Sequence, residues 1–228
     1  ARELKAAGVD VDLAPVADVV AADRVATNEP VGKLRRHYGT TPEQAIPLVE
    51  AFVAGMSAEE IATSVKHFPG LGHVVGNTDF AGNVEDDIVG ADDPGLEVFR
   101  AGIDAGADMV MVSTASYALI DPGTEATFSS AIITDLLRGD LGFDGVVISD
   151  DLGAAAQVAE IPAGERAVRF LSAGGDIVIN GDPSLQAAMT KAVLDRAGSD
   201  PEFAEEITTK AGRVVTMKAN RGAVDCSG

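Results

Sequence analysis

Residues 64–80, SVKHFPGLGHVVGNTDF, concentrate side chains that are suited to acid–base chemistry or to binding. Lys66 and His67 stand at the end of a β-branched run, and a glycine-punctuated loop then carries His73 and Asp79. A carboxylic acid or an imidazole can protonate a leaving group, and a lysine favours the charged form of a nearby carboxylate. The stretch is therefore a candidate functional loop, although spacing alone favours a solvated role for Lys66 and a structural role for His67.

A second candidate stretch covers residues 142–156, GFDGVVISDDLGAAA. Asp150 and Asp151 are adjacent carboxylates that follow the apolar run of a predicted strand. Because neighbouring strand residues point to opposite faces, we expect one of them to enter a site. The other would cap a helix predicted over residues 152–160. From position alone, either aspartate suits either role.

Short apolar runs predict the strands that must position these side chains. The predicted strands are residues 9–16, 62–68, 107–114, 145–150 and 175–180. Helical patterns alternate with them, and this alternation predicts βαβ units with a parallel sheet. Polar residues gather at the carboxyl ends of the strands, the edge that carries ligand sites in such folds.

Helix signals lie between the strands. Thr41, Pro42 and Gln44 form a capping-box pattern, and Gly106 is suited to end the helix that begins near residue 94. Further helices are predicted over residues 129–139, 184–197 and 202–219. A closed barrel needs eight strands, whereas five are identified. The chain opens part-way along a helix without Met, so we expect missing units upstream and one domain over residues 1–228.

The composition restricts the possible partners and cofactors. A net charge of −19 argues against binding to nucleic acid or anionic membranes. We expect no transmembrane segment, because the sequence lacks a run of 18 apolar residues. The single cysteine, Cys226, rules out a disulfide within the chain and CxxC metal sites. With three histidines and no HxH or HxxE pattern, no metal is expected.

Four motifs occur in the order GVDVDLAPVADV, RRHYGTTPE, KHFPGLG and LGFDGVVISDDL. In this order they resemble glycoside hydrolase family 3, in its β-N-acetylglucosaminidase branch, from residue 1 to about residue 180. The resemblance implies an α/β fold, a (β/α)8 TIM-type barrel that is incomplete at its amino-terminal side. It also implies a retaining exo-glycosidase that removes terminal β-linked N-acetylglucosamine from peptidoglycan or chitin-type fragments, without a cofactor.

The resemblance assigns roles to the two candidate stretches. Asp150 becomes the nucleophile that forms a covalent glycosyl-enzyme, and Asp151 becomes the helix cap. Lys66 would help to keep Asp150 ionised.

Substrate binding is also implied by the resemblance. Lys66, His67 and Arg36 would contact the sugar hydroxyls, and Asp18 would support the site without taking part in the chemistry.

The loop departs from the family pattern at the general acid/base. Where the family reads Asp-Ser-His, this chain has Asn77, Thr78 and Asp79. Asp79 is the favoured acid/base and His73 the alternative, because a carboxyl with a raised pKa can protonate a glycosidic oxygen. The remaining possibilities are a turn in which Asp79 only caps a helix, or help from the acetamido group of the substrate.

Other functions remain open at this stage. A β-glucosidase of the same family and a sugar-binding barrel without turnover are the main alternatives, and a Schiff-base role for Lys66 in an aldolase-like barrel is a further one. The KHFPGLG…NTD pattern resembles a sub-branch of actinobacterial envelope lipoproteins. This resemblance favours an extracytoplasmic location, with the cytoplasm as the alternative, and the sequence leaves the oligomeric state open.

Overall fold

The computed structural model describes residues 1–224. Its strands are β1 Val11–Asp12, β2 Ala62–Phe68, β3 Glu85–Asp86, β4 Met109–Val112, β5 Ser116–Tyr117, β6 Asp121–Glu125, β7 Val146–Asp151 and β8 Ile177–Ile179. Its α-helices are α1 Arg2–Ala6, α2 Pro42–Ser57, α3 Leu96–Asp104, α4 Ala163–Ser172, α5 Gln186–Ser199 and α6 Pro201–Asn220. A further helix, Ala131–Asp140, has π-type hydrogen bonds.

The main sheet has five parallel strands in the order β1-β2-β4-β7-β8, which confirms the five predicted strands. The sheet curls into part of a (β/α) barrel with α2, α3 and α4 packed on its outer face. Alternation along β4 separates two cores. Val110 and Val112 face the helices, whereas Met109 and Met111 join a smaller inner cluster that includes Met217 of α6.

Two predicted helix ends are confirmed, but the predicted capping box is wrong. Thr41 is the N-cap of α2 with Pro42 at its first position, and Gly106 follows α3 with φ +96°. The Gln44 Oε1 atom accepts hydrogen bonds from the amide and hydroxyl groups of Thr40, one residue before the predicted partner. The side chain thus fixes the turn that leads into α2.

The helix predicted over residues 152–160 is also wrong. This segment forms turns and a single 3₁₀ turn, Ala156–Val158, and α4 starts only after Pro162. Proline fixes its own φ and is suited to a helix start, so the regular helix begins where Pro162 allows it. The alanine-rich composition favoured a helix, but contacts with other segments hold the turns.

A small second sheet, absent from the sequence prediction, lies at the carboxyl edge of the main sheet. Its order is β3-β5-β6, with β3 and β5 parallel and β5 and β6 antiparallel. The hydroxyl of Tyr117 on β5 is fully buried and donates a hydrogen bond to the Gly70 carbonyl. The small sheet therefore supports the loop that follows β2.

Ion pairs fasten the amino edge of the main sheet. The Asp176 side chain is fully buried and accepts hydrogen bonds from Arg138, Arg213 and the Val147 amide. Asp108 accepts two hydrogen bonds from Arg221, which follows α6, at 2.7 and 2.9 Å. These bonds join the last helix to the starts of the strands.

Candidate active site

A cavity of about 200 Å³ opens at the carboxyl edge of the main sheet. It brings together five of the six predicted site residues: Arg36, Lys66, His67, Asp79 and Asp150. The other lining residues are Leu13, Pro30, Leu71, Asn77, Thr78, Met111 and Ile179. Two carboxylates and two basic side chains therefore line one small cavity, at the edge where parallel α/β folds carry their ligand sites.

Strand alternation explains why Asp150 lines this cavity. Val146 and Ile148 belong to the inner cluster, and Asp150 is the next residue on that face of β7. The Asp150 Oδ1 atom also accepts a hydrogen bond from the Asp151 amide at 2.9 Å. The side chain is thus held by its own strand and aimed into the barrel.

Asp151 forms its hydrogen bonds outside the cavity. Its Oδ1 atom accepts hydrogen bonds from the amides of Gly153, Ala154 and Gly181, at 2.7, 3.1 and 2.8 Å. The helix cap predicted for Asp151 is therefore wrong, because these amides belong to a turn and to the segment after β8. Asp151 instead ties the ends of two neighbouring strands together.

Asp18 orients His67. The Nδ1–H group of His67 donates to Asp18 Oδ2 at 2.7 Å, and the His67 amide donates to Oδ1 at 3.2 Å. The Leu71 amide donates to the same Oδ1 at 2.7 Å, and Asp18 is 1% exposed. With Nδ1 engaged, Nε2 is the ring nitrogen left for a ligand in the cavity.

Lys66 and Arg36 supply positive charge. Burial lowers the pKa of Lys66, and repulsion from Arg36 adds to this, whereas Asp150 and Asp18 oppose the change. Arg36 donates from Nε and Nη2 to the Pro30 carbonyl, at 3.1 and 2.6 Å, which fixes the guanidinium on its loop. Both basic groups line the cavity, and Arg36 is held there by its two bonds to Pro30.

Asp79 lies at the solvent-accessible mouth of the cavity. Its amide donates to Asn77 Oδ1 at 2.9 Å, which shapes the loop locally. Partial burial raises the pKa of the Asp79 carboxyl, and the negative charge of Asp150 raises it further, while His67 and Arg36 oppose this. A carboxyl that keeps its proton to higher pH is suited to protonate a leaving group.

His73 lies elsewhere. It lines a separate cavity of about 260 Å³ beside the amino ends of α2 and α3, together with Thr41, Gly95 and Phe99. Its carbonyl accepts a hydrogen bond from Arg24 at 2.8 Å. The geometry therefore favours Asp79 over His73 as the residue that meets a ligand beside Asp150.

Asn28 supports the site and was missed by sequence reasoning. Its Nδ2 donates to the carbonyls of Leu71 and Val74 at 2.7 and 2.8 Å, and its Oδ1 accepts from the amides of Val31 and Gly32. The side chain is 1% exposed and joins the Arg36 loop to the loop after β2. Leu71 and Val74 lie more than 40 residues away in the sequence, so no local sequence pattern indicates the bonds to them.

The loop after β2 also passes very close to another segment at Gly72. A Cβ atom at Gly72 would overlap with the Val19 carbonyl oxygen, so any larger residue would displace one of the two chains. The glycine permits the close packing that brings Asp18 to Leu71.

Within residues 1–224, no group of three or more His, Cys, Asp or Glu side chains is arranged to hold a metal ion. The same described part of the chain contains no helix with the length and apolar character needed to cross a membrane.

The chain was compared with known families and proteins. Residues 1–217 match the family model of the glycosyl hydrolase family 3 N terminal domain. A β-hexosaminidase of Xanthomonas campestris pv. campestris is 37% identical over 199 residues, which cover 86% of this chain and 57% of that relative. The chain thus spans little more than half the length of this relative.

Solved structures show the same similarity. A β-N-acetylhexosaminidase from Beutenbergia cavernae superposes with a TM-score of 0.93 at 47% identity, covering 95% of this chain and 65% of that one. A glycoside hydrolase family 3 β-N-acetylglucosaminidase from Paenibacillus superposes with a TM-score of 0.86 at 30% identity, covering 99% and 43%. The family model and the structural superpositions therefore indicate the same family and the same fold.

Proposed function

Because the chain belongs to the glycosyl hydrolase family 3 N-terminal domain family, we propose that it forms the catalytic part of a retaining exo-glycosidase. The proposed reaction removes terminal β-linked N-acetylglucosamine. The observation that carries the proposal is the position of Asp150 and Asp79 in one cavity with Lys66, Arg36 and His67. Two carboxyl groups on one site are what retaining hydrolysis requires.

In the first step, a carboxylate oxygen of Asp150 attacks the anomeric carbon of the sugar. The bond from that carbon to the leaving oxygen breaks, and the leaving oxygen takes the proton of Asp79. The products of this step are a glycosyl ester on Asp150 and a free alcohol. The raised pKa of Asp79 supports this role, because the proton must still be present when the bond breaks.

In the second step, water attacks the same carbon from the face that the alcohol left. Asp79, now a carboxylate, takes a proton from this water, and Asp150 is released. Two inversions give net retention, so the first product is the β anomer. Lys66, Arg36 and His67 would hold the sugar hydroxyls through both steps.

The substrate class is supported by the relatives and by the cavity. The X. campestris and B. cavernae relatives carry hexosaminidase names. The cavity of about 200 Å³ is smaller than the roughly 300–1,000 Å³ of pockets for drug-sized ligands, which favours one sugar ring. We propose peptidoglycan or chitin-type fragments as the natural substrates. We also propose an extracytoplasmic location, which secretion assays and subcellular fractionation would test.

The first experiment measures nitrophenol release from 4-nitrophenyl β-N-acetylglucosaminide by the 228-residue chain. A parallel assay uses 4-nitrophenyl β-glucoside for comparison. The chain is then incubated with a fluorinated substrate analogue whose glycosyl-enzyme hydrolyses slowly. Mass spectrometry identifies the residue that carries the sugar. We expect turnover of the N-acetyl substrate and a covalent adduct on Asp150. Binding of N-acetylglucosamine without turnover would instead support a sugar-binding barrel, and preference for the glucoside would support a β-glucosidase.

A second experiment identifies the acid/base with Asp79→Ala and His73→Ala. Azide needs no base to attack the glycosyl-enzyme, so it should restore turnover when the acid/base is missing. We expect azide to rescue Asp79→Ala and to form the glycosyl azide, while His73→Ala stays near wild type. The opposite pattern would assign the role to His73.

A further inference from the structure

We propose that Gln157 is a positioning residue that holds the Asp79 loop beside Asp150, where Asp79 can protonate the leaving oxygen. The inference rests on the proposed function, because its catalytic consequence requires Asp79 to act as acid. Gln157 lies seven residues after Asp150, in the 3₁₀ turn Ala156–Val158. The structure therefore links the two carboxylates through one short segment.

The Gln157 side chain pairs with the backbone of Val84. Its Oε1 atom accepts a hydrogen bond from the Val84 amide at 2.8 Å, and its Nε2 donates to the Val84 carbonyl at 3.4 Å. The primary amide thus satisfies one backbone residue as a neighbouring strand would. Val84 is 6% exposed and belongs to the main core, so this end of the loop is anchored to the core.

The backbone of the same turn holds the other end of the loop. The Gln157 amide donates to the Thr78 carbonyl at 3.1 Å, and the Ala156 amide donates to the Asp79 carbonyl at 3.3 Å. The loop from Thr78 to Val84 is therefore bonded at both ends to residues 156 and 157. Asp79 is attached through its own carbonyl to the segment that follows the nucleophile.

Between these bonds the loop is supported by local turn bonds, in which the Phe80 and Ala81 amides donate to the Asn77 carbonyl at 3.0 and 2.9 Å. Gly82 and Asn83 are exposed, and Asn83 adopts φ +56°. Phe80 is 84% exposed. Because Asp79 itself lies at the cavity mouth, its approach to Asp150 depends on the anchoring of this segment. Gln157 acts on the reaction through Asp79 and does not itself line the cavity.

The decisive variants keep the size of the side chain and change its bonding. Gln157→Met removes both bonds to Val84, whereas Gln157→Glu keeps an acceptor for the Val84 amide. We measure kcat/KM on aryl β-N-acetylglucosaminides with leaving groups of increasing basicity. For the most basic leaving groups we expect Gln157→Met to lose about 10–100-fold, which is part of the roughly 10²–10⁴-fold that general acid catalysis contributes, because Asp79 is displaced but still present. Activated dinitrophenol needs little acid, so its kcat/KM should change less than about threefold.

A stability effect alone would not give this pattern. Val193→Ala on α5 trims a partly buried side chain that packs on the core away from the cavity, and it serves as the control for destabilisation. It should leave the leaving-group dependence unchanged. Gln157→Glu should lie between wild type and Gln157→Met, because one bond remains. Equal losses for all leaving groups in Gln157→Met would overturn the proposal.

A measurement without turnover separates this inference from the proposed function. The ¹³Cγ resonance of Asp79 reports its titration in the intact chain by NMR. If Gln157 holds Asp79 near Asp150, Gln157→Met should lower the midpoint towards that of an exposed carboxyl. An unchanged midpoint would overturn the positioning role even if the enzyme is active. A lowered midpoint in an inactive chain would support the positioning and overturn only the proposed hydrolysis.

Discussion

The carboxylates at the two edges of the main sheet lie in different electrostatic environments. At the amino edge, Asp176 is matched by Arg138 and Arg213, and Asp108 is matched by Arg221. At the carboxyl edge, partial burial raises the pKa of Asp79, and the negative charge of Asp150 raises it further. The amino edge pairs these carboxylates with arginines, while the carboxyl edge places two carboxylates in one cavity.

Strand β7 joins these two edges within five residues. The Val147 amide donates to Asp176 Oδ2 at 2.7 Å, and Asp150 lies three positions later in the cavity. Stability and chemistry are therefore separated along the strand direction, since barrel folds carry their functional loops at one end. Changes at the two edges should therefore affect different measured quantities.

The largest expected effect is on activity. Asp150→Asn removes the nucleophile and should lower kcat/KM for 4-nitrophenyl β-N-acetylglucosaminide by about 10⁴-fold or more. The melting temperature should remain close to that of wild type. Asp144→Asn, an exposed position before the same strand, is the matched control and should keep full activity. Residual turnover above one per cent in Asp150→Asn would place the nucleophile elsewhere.

The next effect is on stability at the opposite edge. Asp176→Asn leaves Arg138 and Arg213 without their buried counter-charge and should cost about 3–5 kcal/mol in the free energy of unfolding. Denaturant titration followed by circular dichroism measures this loss. Asp195→Asn, which breaks an exposed pair with Lys191, should cost at most about 1 kcal/mol. Similar losses in both variants would remove the distinction between buried and exposed pairs.

The pH profile should show a smaller effect that belongs to the carboxyl edge. The acid form of Asp79 is active in the first step, and its pKa is raised, so activity should persist above the usual range of a carboxyl. The kcat/KM for a basic leaving group should then fall as the pH rises through the Asp79 pKa. The same alkaline fall in Asp79→Asn would assign it to another group.

The smallest effect is a gain in stability from the same residue. A carboxyl whose pKa is higher in the folded state binds more protons there than in the unfolded state. Stability is therefore lost as the pH rises from the unfolded pKa to the folded one. Asp79→Asn should raise the melting temperature slightly at neutral pH, and the gain should vanish in acid. A lower melting temperature at neutral pH would contradict this.

The sequence was sufficient to predict the parallel strands and five of the twelve residues that line the cavity. Runs such as Met109–Val112 are apolar on both faces, which is typical of buried parallel strands. Period-two alternation placed only one of two adjacent aspartates in the site, but the choice of Asp150 came from the resemblance. Local rules therefore located the strand end, and the family pattern selected the residue.

The rest depended on contacts between distant segments. The alanine-rich turn after β7 was predicted as a helix, but the amides of Ala156 and Gln157 bond to the loop near Asp79. The strands of the small sheet are too short to give a periodic pattern, as in Glu85–Asp86. Asn28 acts over 43 and 46 residues of separation, which no sequence window reports.

The bonds of Arg221 have a consequence for how the chain folds. Its guanidinium reaches Asp108 over 113 residues and the Ser57 hydroxyl over 164 residues. Contacts of such separation must close a very large loop, and they are costly to form early. During synthesis, both partners leave the ribosome long before Arg221 does. We therefore expect these bonds to form after the folding transition state, and Arg221→Ala to speed unfolding while leaving the folding rate nearly unchanged.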